Sequence, residues 1–125
     1  MRTMLESPPN FIERLDTLIE ENLSDENFTI DTLCSKLTIS YTYVYRKIKS
    51  HKGLTPSMYV RTKRLQRALQ FLEHSELNIQ QISYRVGFNT QAYFTRCFVH
   101  EMGCPPTEYR KKYFKNDRVA LAIAG

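Results

Sequence analysis

The stretch "NIQQISYRVGFNTQAYFTRCF", residues 78–98, decides the fold. Ile79, Ile82 and Val86 have helical spacing, as do Phe94 and Phe98, and Gly87 interrupts the two patterns. Glycine at that point permits a tight or left-handed turn. The break is therefore either a plain corner in a buried bundle or a turn that aims the second helix at an external partner.

Working outward, the same pattern occurs earlier in the chain. Sliding residues 40–60 against 90–110 aligns Tyr43 with Tyr93, Arg46 with Arg96, Gly53 with Gly103, Pro56 with Pro106 and Tyr59 with Tyr109, five identities in 21 positions. Ser40 and Thr90, both good helix caps, also align. Upstream the register shifts by one, pairing Ile30, Leu33 and Leu37 with Ile79, Ile82 and Val86, so the second copy has one more residue in its turn. Each copy reads as short helix, tight turn, longer helix, glycine stop and proline start: a helix-turn-helix, present twice.

Helical spacing dominates the rest, and strand-like alternation is short. Asn10 is expected to cap a first helix with Phe11, Ile12, Leu15, Leu18, Ile19 and Leu23 along one stripe. Thr29 caps a second, with Ile30, Leu33, Cys34 and Leu37 on its inner side. A third covers 41–51, and a fourth begins with Thr55 as cap and Pro56 at the first helical position, running to about Glu73. The fifth, sixth and seventh cover 79–86, 91–102 and 106–114. The expectation is an all-α fold of seven helices forming two helix-turn-helix subdomains joined by a long linker helix. Its divisions are a lead at 1–9, subdomains at 10–54 and 75–115, the linker at 55–74, and a tail at 116–125, whose "VALAIAG" is either loose or a packing strip.

Composition fits this and excludes other classes. The 125 residues are 42% hydrophobic, enough for a modest core, and no apolar run approaches the roughly 20 residues that span a bilayer. The N-terminus lacks the apolar core of a signal peptide, which makes the cytoplasm the expected location. Cys34, Cys97 and Cys104 have no C-x-x-C spacing and His51, His74 and His100 are scattered, so no metal or cofactor is expected. No clustered acid–base pair, phosphate loop or nucleophile arrangement suggests an enzyme. Residues 1–32 hold eight acids against two basic residues, net −6, while the remainder holds sixteen Lys/Arg against five acids, net +11. A basic segment of that size favours a polyanionic partner, because neutralised phosphates release counterions.

The outer faces of the two longer helices then acquire a meaning. Opposite the inward pair Val44 and Ile48 lie Thr42, Tyr45, Arg46 and Lys49; opposite Phe94 and Phe98 lie Ala92, Thr95, Arg96 and Val99. Arginine has the fork that reads guanine O6 and N7, and small polar or methyl groups suit other base edges. Residues 56–73 would extend roughly 27 Å at ~1.5 Å per residue, compatible with two readers entering successive major grooves ~34 Å apart. The preferred site would then be asymmetric, since the two readers differ. The alternative is a basic helical module that binds protein or RNA.

These residues resemble the DNA-binding domain of the AraC/XylS family of bacterial transcription regulators, over about residues 10–113. "IQQISYRVGFNTQAYFTRCFVHEMGCPPTEYRK" is similar to the family signature, and "LTISYTYVYRKIKSHKGLTPSMYVRTKRLQRAL" to its first reader and linker. The resemblance implies a helical protein that binds double-stranded promoter DNA, most often to activate transcription, with RNA polymerase as a further partner. Position by position it implies base contacts at Thr42, Tyr45, Arg46, Gln91, Ala92, Thr95 and Arg96. It implies phosphate contacts at Ser40, Lys49, Arg61, Asn89 and Thr90. Val99 stands where the family commonly has lysine, so the second reader is poorer in charge. Family members usually carry a separate sensing or dimerisation domain. The chain is accordingly expected to be a C-terminal piece of a longer regulator, with a stand-alone short member as the alternative.

Overall fold

The computed structural model describes residues 10–115; the lead at 1–9 and the tail with "VALAIAG" lie outside them. Among the described residues there are seven helices: α1 (Phe11–Asn22), α2 (Ile30–Leu37), α3 (Tyr41–Lys52), α4 (Pro56–His74), α5 (Ile79–Arg85), α6 (Gln91–Met102) and α7 (Pro106–Tyr113). The fold is all-α. Two units divide between Lys63 and Arg64, inside α4.

Polar residues set the helix starts. Thr29 and Thr32 form a reciprocal capping box on α2, and Asn78 and Gln81 form another on α5. Ser40, Thr55 and Thr90 accept the backbone N–H groups of Tyr43, Met58 and Tyr93, as the sequence suggests. Asn10 does not. Its backbone (φ −103°, ψ 25°) is not the extended form that turns a side chain back onto the first turn, and no side-chain cap forms.

Each unit has its own core. In the first, Leu15, Ile19 and Leu23 of α1 meet Ile30, Leu33 and Cys34 of α2, Val44 and Ile48 of α3, and Tyr59 and Val60 of α4. In the second, Leu65, Ala68 and Leu72 of α4 meet Ile82 and Val86 near α5, Phe88, and Phe94 and Phe98 of α6. Val44, Ile48, Phe94 and Phe98 are fully buried, which fixes the rotation of both longer helices. Leu37, expected on the inner side of α2, is instead 45% exposed. It is the last residue of α2, and the helix closes there into a left-handed turn one step beyond the buried layer.

The two corners share one construction. Thr38 is left-handed at φ 56°, and the Ile39 amide donates back to the Cys34 carbonyl at 3.0 Å. Gly87 lies at φ 96°, and the Phe88 amide donates back to the Ser83 carbonyl at 3.0 Å. Both are the five-residue reach of a Schellman closure. Asn89 is then the additional residue of the second copy, placed between Phe88 and the cap Thr90.

Candidate nucleic-acid interface

With Val44 and Ile48 turned inward, the opposite side of α3 presents Thr42, Tyr45, Arg46 and Lys49, all exposed. The helix carries Arg46, Lys47, Lys49 and Lys52 and no acid. Ser40, also exposed, spends its oxygen lone pair on the Tyr43 amide at 3.2 Å. Its hydroxyl proton remains able to donate to a phosphate, at a helix start where backbone N–H groups already favour an anion. Around this face Leu37, Ile39, Tyr41 and Tyr45 are exposed, the two tyrosine rings lying 6.2 Å apart.

In the second unit, Gln91, Ala92 and Arg96 are exposed on α6 and Thr95 is half-buried. Thr90 repeats the role of Ser40, accepting the Tyr93 amide at 3.1 Å, and Asn89 is exposed beside it. Val99 is 39% exposed and supplies no charge on this face. α6 contains only Arg96 and Glu101 as charged residues, apart from His100. Each unit thus gathers its expected contact residues on one helix and its preceding corner. Arg61 is the exception: it belongs to α4, half-buried, away from either reader helix in sequence.

Part of the other basic charge is engaged within the protein. Lys63 pairs with Asp16 at 3.7 Å and Glu20 at 3.4 Å, drawing on the acidic first helix. Lys115 lies 3.9 Å from Glu73. Arg110 acts as a clamp. Its guanidinium donates to the carbonyls of Phe71, Leu72, Ser75 and Leu77, at 2.5–3.2 Å, closing the C-terminal end of α4 and the loop after it. The Leu72 carbonyl is one that the end of a helix leaves without an intrahelical partner, whereas the Phe71 carbonyl also accepts from the Ser75 amide at 3.0 Å, and Ser75 and Leu77 lie in the loop. Burial pulls the Arg110 pKa down, though arginine retains its charge in proteins.

Two tyrosines complete the frame. Tyr59 donates to Asp16 and Tyr109 to Glu73, each at 2.5 Å. Burial, reinforced by the neighbouring carboxylate, pushes the Tyr59 hydroxyl well above its ordinary range and that of Tyr109 up to about 12. Sequence reasoning also missed Lys47 and Tyr93. The Lys47 ammonium lies over the Tyr43 ring at 5.6 Å, and the Arg96 guanidinium over the Tyr93 ring at 5.7 Å. The signal was present as tyrosine–cation pairs at i, i+4 and i, i+3.

An all-α chain with two capped helix-turn-helix units, each presenting a polar outer helix, belongs to a known class. Residues 33–112 match the family model described as a helix-turn-helix domain, and the chain belongs to this AraC/XylS-type family of DNA-binding domains from transcription regulators. It is 36% identical over 96 residues, 77% of its length, to Histidine kinase P4 of Formosa agariphila, of which it spans 7%. It is 30% identical over 112 residues, 87% of its length, to the HTH-type transcriptional activator RhaS of Escherichia coli, of which it spans 40%. The chain therefore covers less than half of either relative. Among solved structures it is similar to the C-terminal domain of AraT, a response regulator from Geobacillus stearothermophilus. That match has a TM-score of 0.78 and 29% identity, covering 89% of this chain and 91% of that one. The DNA-binding domain of the global transcriptional factor AdpA, solved with a target DNA, matches with a TM-score of 0.72 and 25% identity, over 82% and 90% of the two chains.

Proposed function

We propose that this chain binds double-stranded promoter DNA sequence-specifically through α3 and α6, each inserted in a major groove, and thereby regulates transcription. The observation that carries this is the matched pair of outer faces. Each follows a left-handed corner, starts at a hydroxyl cap, and exposes an arginine, Arg46 or Arg96, opposite two fully buried residues. Thr42, Tyr45, Arg46, Gln91, Ala92, Thr95 and Arg96 are assigned to bases. Ser40, Lys49, Arg61, Asn89 and Thr90 are assigned to phosphates.

The finer reading is that the two helices occupy successive grooves, with 10–54 and 75–115 as the reading subdomains and 55–74 as the linker. Activation, contact with RNA polymerase and an upstream sensor or dimerisation domain belong to the same proposal. Their support is similarity to an activator and to the C-terminal domain of a response regulator. Non-enzymatic action in the cytoplasm follows from that role. Among the described residues no helix is long and apolar enough to cross a membrane.

The test is selection of binding sites from random duplexes, followed by footprinting. An enriched asymmetric motif protected over two adjacent major grooves is the expected result. A palindromic motif would remove the single-chain, two-groove part. No enrichment at low salt would sink duplex reading altogether, leaving a module for RNA or protein.

A further inference from the structure

The two readers align residue for residue, yet they hold their cations differently. In α6 the Arg96 guanidinium lies over the Tyr93 ring, 5.7 Å from its centroid. That ring is itself braced. Phe88 meets it edge-on at 5.6 Å, and Phe88 is buried and packs on Phe94 at 5.2 Å. The Tyr93 backbone is held by the Thr90 cap. In α3 the equivalent Tyr43 carries Lys47 instead, at 5.6 Å.

We propose that Tyr93 is a positioning residue for Arg96 and, through it, sets the base preference of the second reader; this rests on the DNA-binding reading above. A guanidinium held over an aromatic ring by cation–π attraction spends none of its N–H groups on a hydrogen bond there, and those are the groups that pair with guanine O6 and N7. The cation–π contact restricts the rotamers of a long side chain before DNA arrives, so less freedom is lost on binding. The bracing runs from the buried corner through Phe88 and Tyr93 to the reading group. α6, which has one arginine where α3 has four cations, thus gains by order what it lacks in charge. In α3 the same aromatic position holds a lysine, a point charge suited to phosphate rather than to a planar base edge.

The test uses the full 125-residue chain and the duplex selected from random sequence, with each other base pair substituted at the position that Arg96 reads. Tyr93→Leu is expected to lose about two- to fivefold of the discrimination at that position, the worth of an exposed cation–π contact, with the salt dependence unchanged. Tyr93→Phe keeps the ring and should retain the wild-type preference. In an Arg96→Ala background, Tyr93→Leu should change nothing further at that base. Wild-type discrimination in Tyr93→Leu, equal losses in Tyr93→Phe and Tyr93→Leu, or an undiminished Leu effect without Arg96 each overturns the proposal. A measurement independent of folding variants is nitrogen-15 relaxation of the arginine side chains in the free wild-type chain. Arg96 Nε–H should be more restricted than Arg46 Nε–H, and equal mobility overturns the bracing. A wild-type chain with no preferred duplex removes the DNA-binding reading, whereas restricted Arg96 in the free chain would still stand.

Discussion

The Tyr59 hydroxyl donates a 2.5 Å hydrogen bond to the Asp16 carboxylate, joining α4 to α1 across 43 positions of sequence. Tyr109, its counterpart fifty residues later, donates to Glu73 of α4, also at 2.5 Å. In each unit a tyrosine after the reader is therefore fastened to the helix that opens the unit. Bonds to a charged acceptor contribute more than neutral ones, so Tyr59→Phe and Tyr109→Phe should each lower stability by about 1.5 kcal/mol in urea denaturation. Losses within about 0.3 kcal/mol would mean that water replaces the hydroxyl without cost.

Alkaline pH should act through the same bonds. Burial and the hydrogen bond to Glu73 raise Tyr109 to about 12 from its ordinary value of 10.0. Between those values the folded chain keeps a proton that the unfolded chain has released. The stabilisation is thus complete below pH 10 and is lost as pH rises from 10 to about 12. Tyr59 shifts in the same direction, for the same leading reason. The urea midpoint should fall through that window, and less steeply in Tyr109→Phe. Equal slopes in the variant and the parent would exclude Tyr109 as a source.

The corners give a prediction of opposite sign in the two units. Thr38 and Gly87 occupy matched left-handed positions, but only the glycine does so without steric cost. Thr38→Gly should therefore stabilise the chain, by about 0.5–1 kcal/mol after the greater freedom of an unfolded glycine is deducted. Gly87→Ala should destabilise by about 1–2 kcal/mol. Thermal unfolding of both variants checks this; a drop in Tm for Thr38→Gly would show that the threonine side chain compensates for its backbone.

The helices and the readers were readable because their determinants are local. Ser40 and Thr90 precede their helices, Gly53 and Gly103 follow them, and the apolar spacing singles out Val44, Ile48, Phe94 and Phe98. What escaped is long-range. Sliding the sequence by 50 exposes Tyr59 and Tyr109 but cannot pair their acceptors, because Asp16 and Glu73 are 57 apart. Arg110 reads as one more member of a basic run, "YRKK", and only its four carbonyl partners reveal a clamp. Leu37 was misplaced for a related reason: spacing assigns it a side of the helix, but not whether the core reaches that turn.

The reader residues separate by what their loss should do. Arg46 and Arg96 are exposed opposite buried anchors, where a guanidinium can meet a base edge. Arg46→Ala and Arg96→Ala should each relax preference at one local base position, by ~1–3 kcal/mol if the contact is bidentate to guanine. Lys49 lies one turn further along the same side of α3, three residues after Arg46, within a helix that carries no acid. Its ammonium suits a phosphate, so Lys49→Ala should weaken binding to all duplexes about equally and reduce the salt slope by about one. Titrations of the selected duplex and a scrambled one, each at several salt concentrations, separate the two outcomes. If Lys49→Ala changed base preference while leaving the salt slope intact, the division of α3 into a reading arginine and an anchoring lysine would fail.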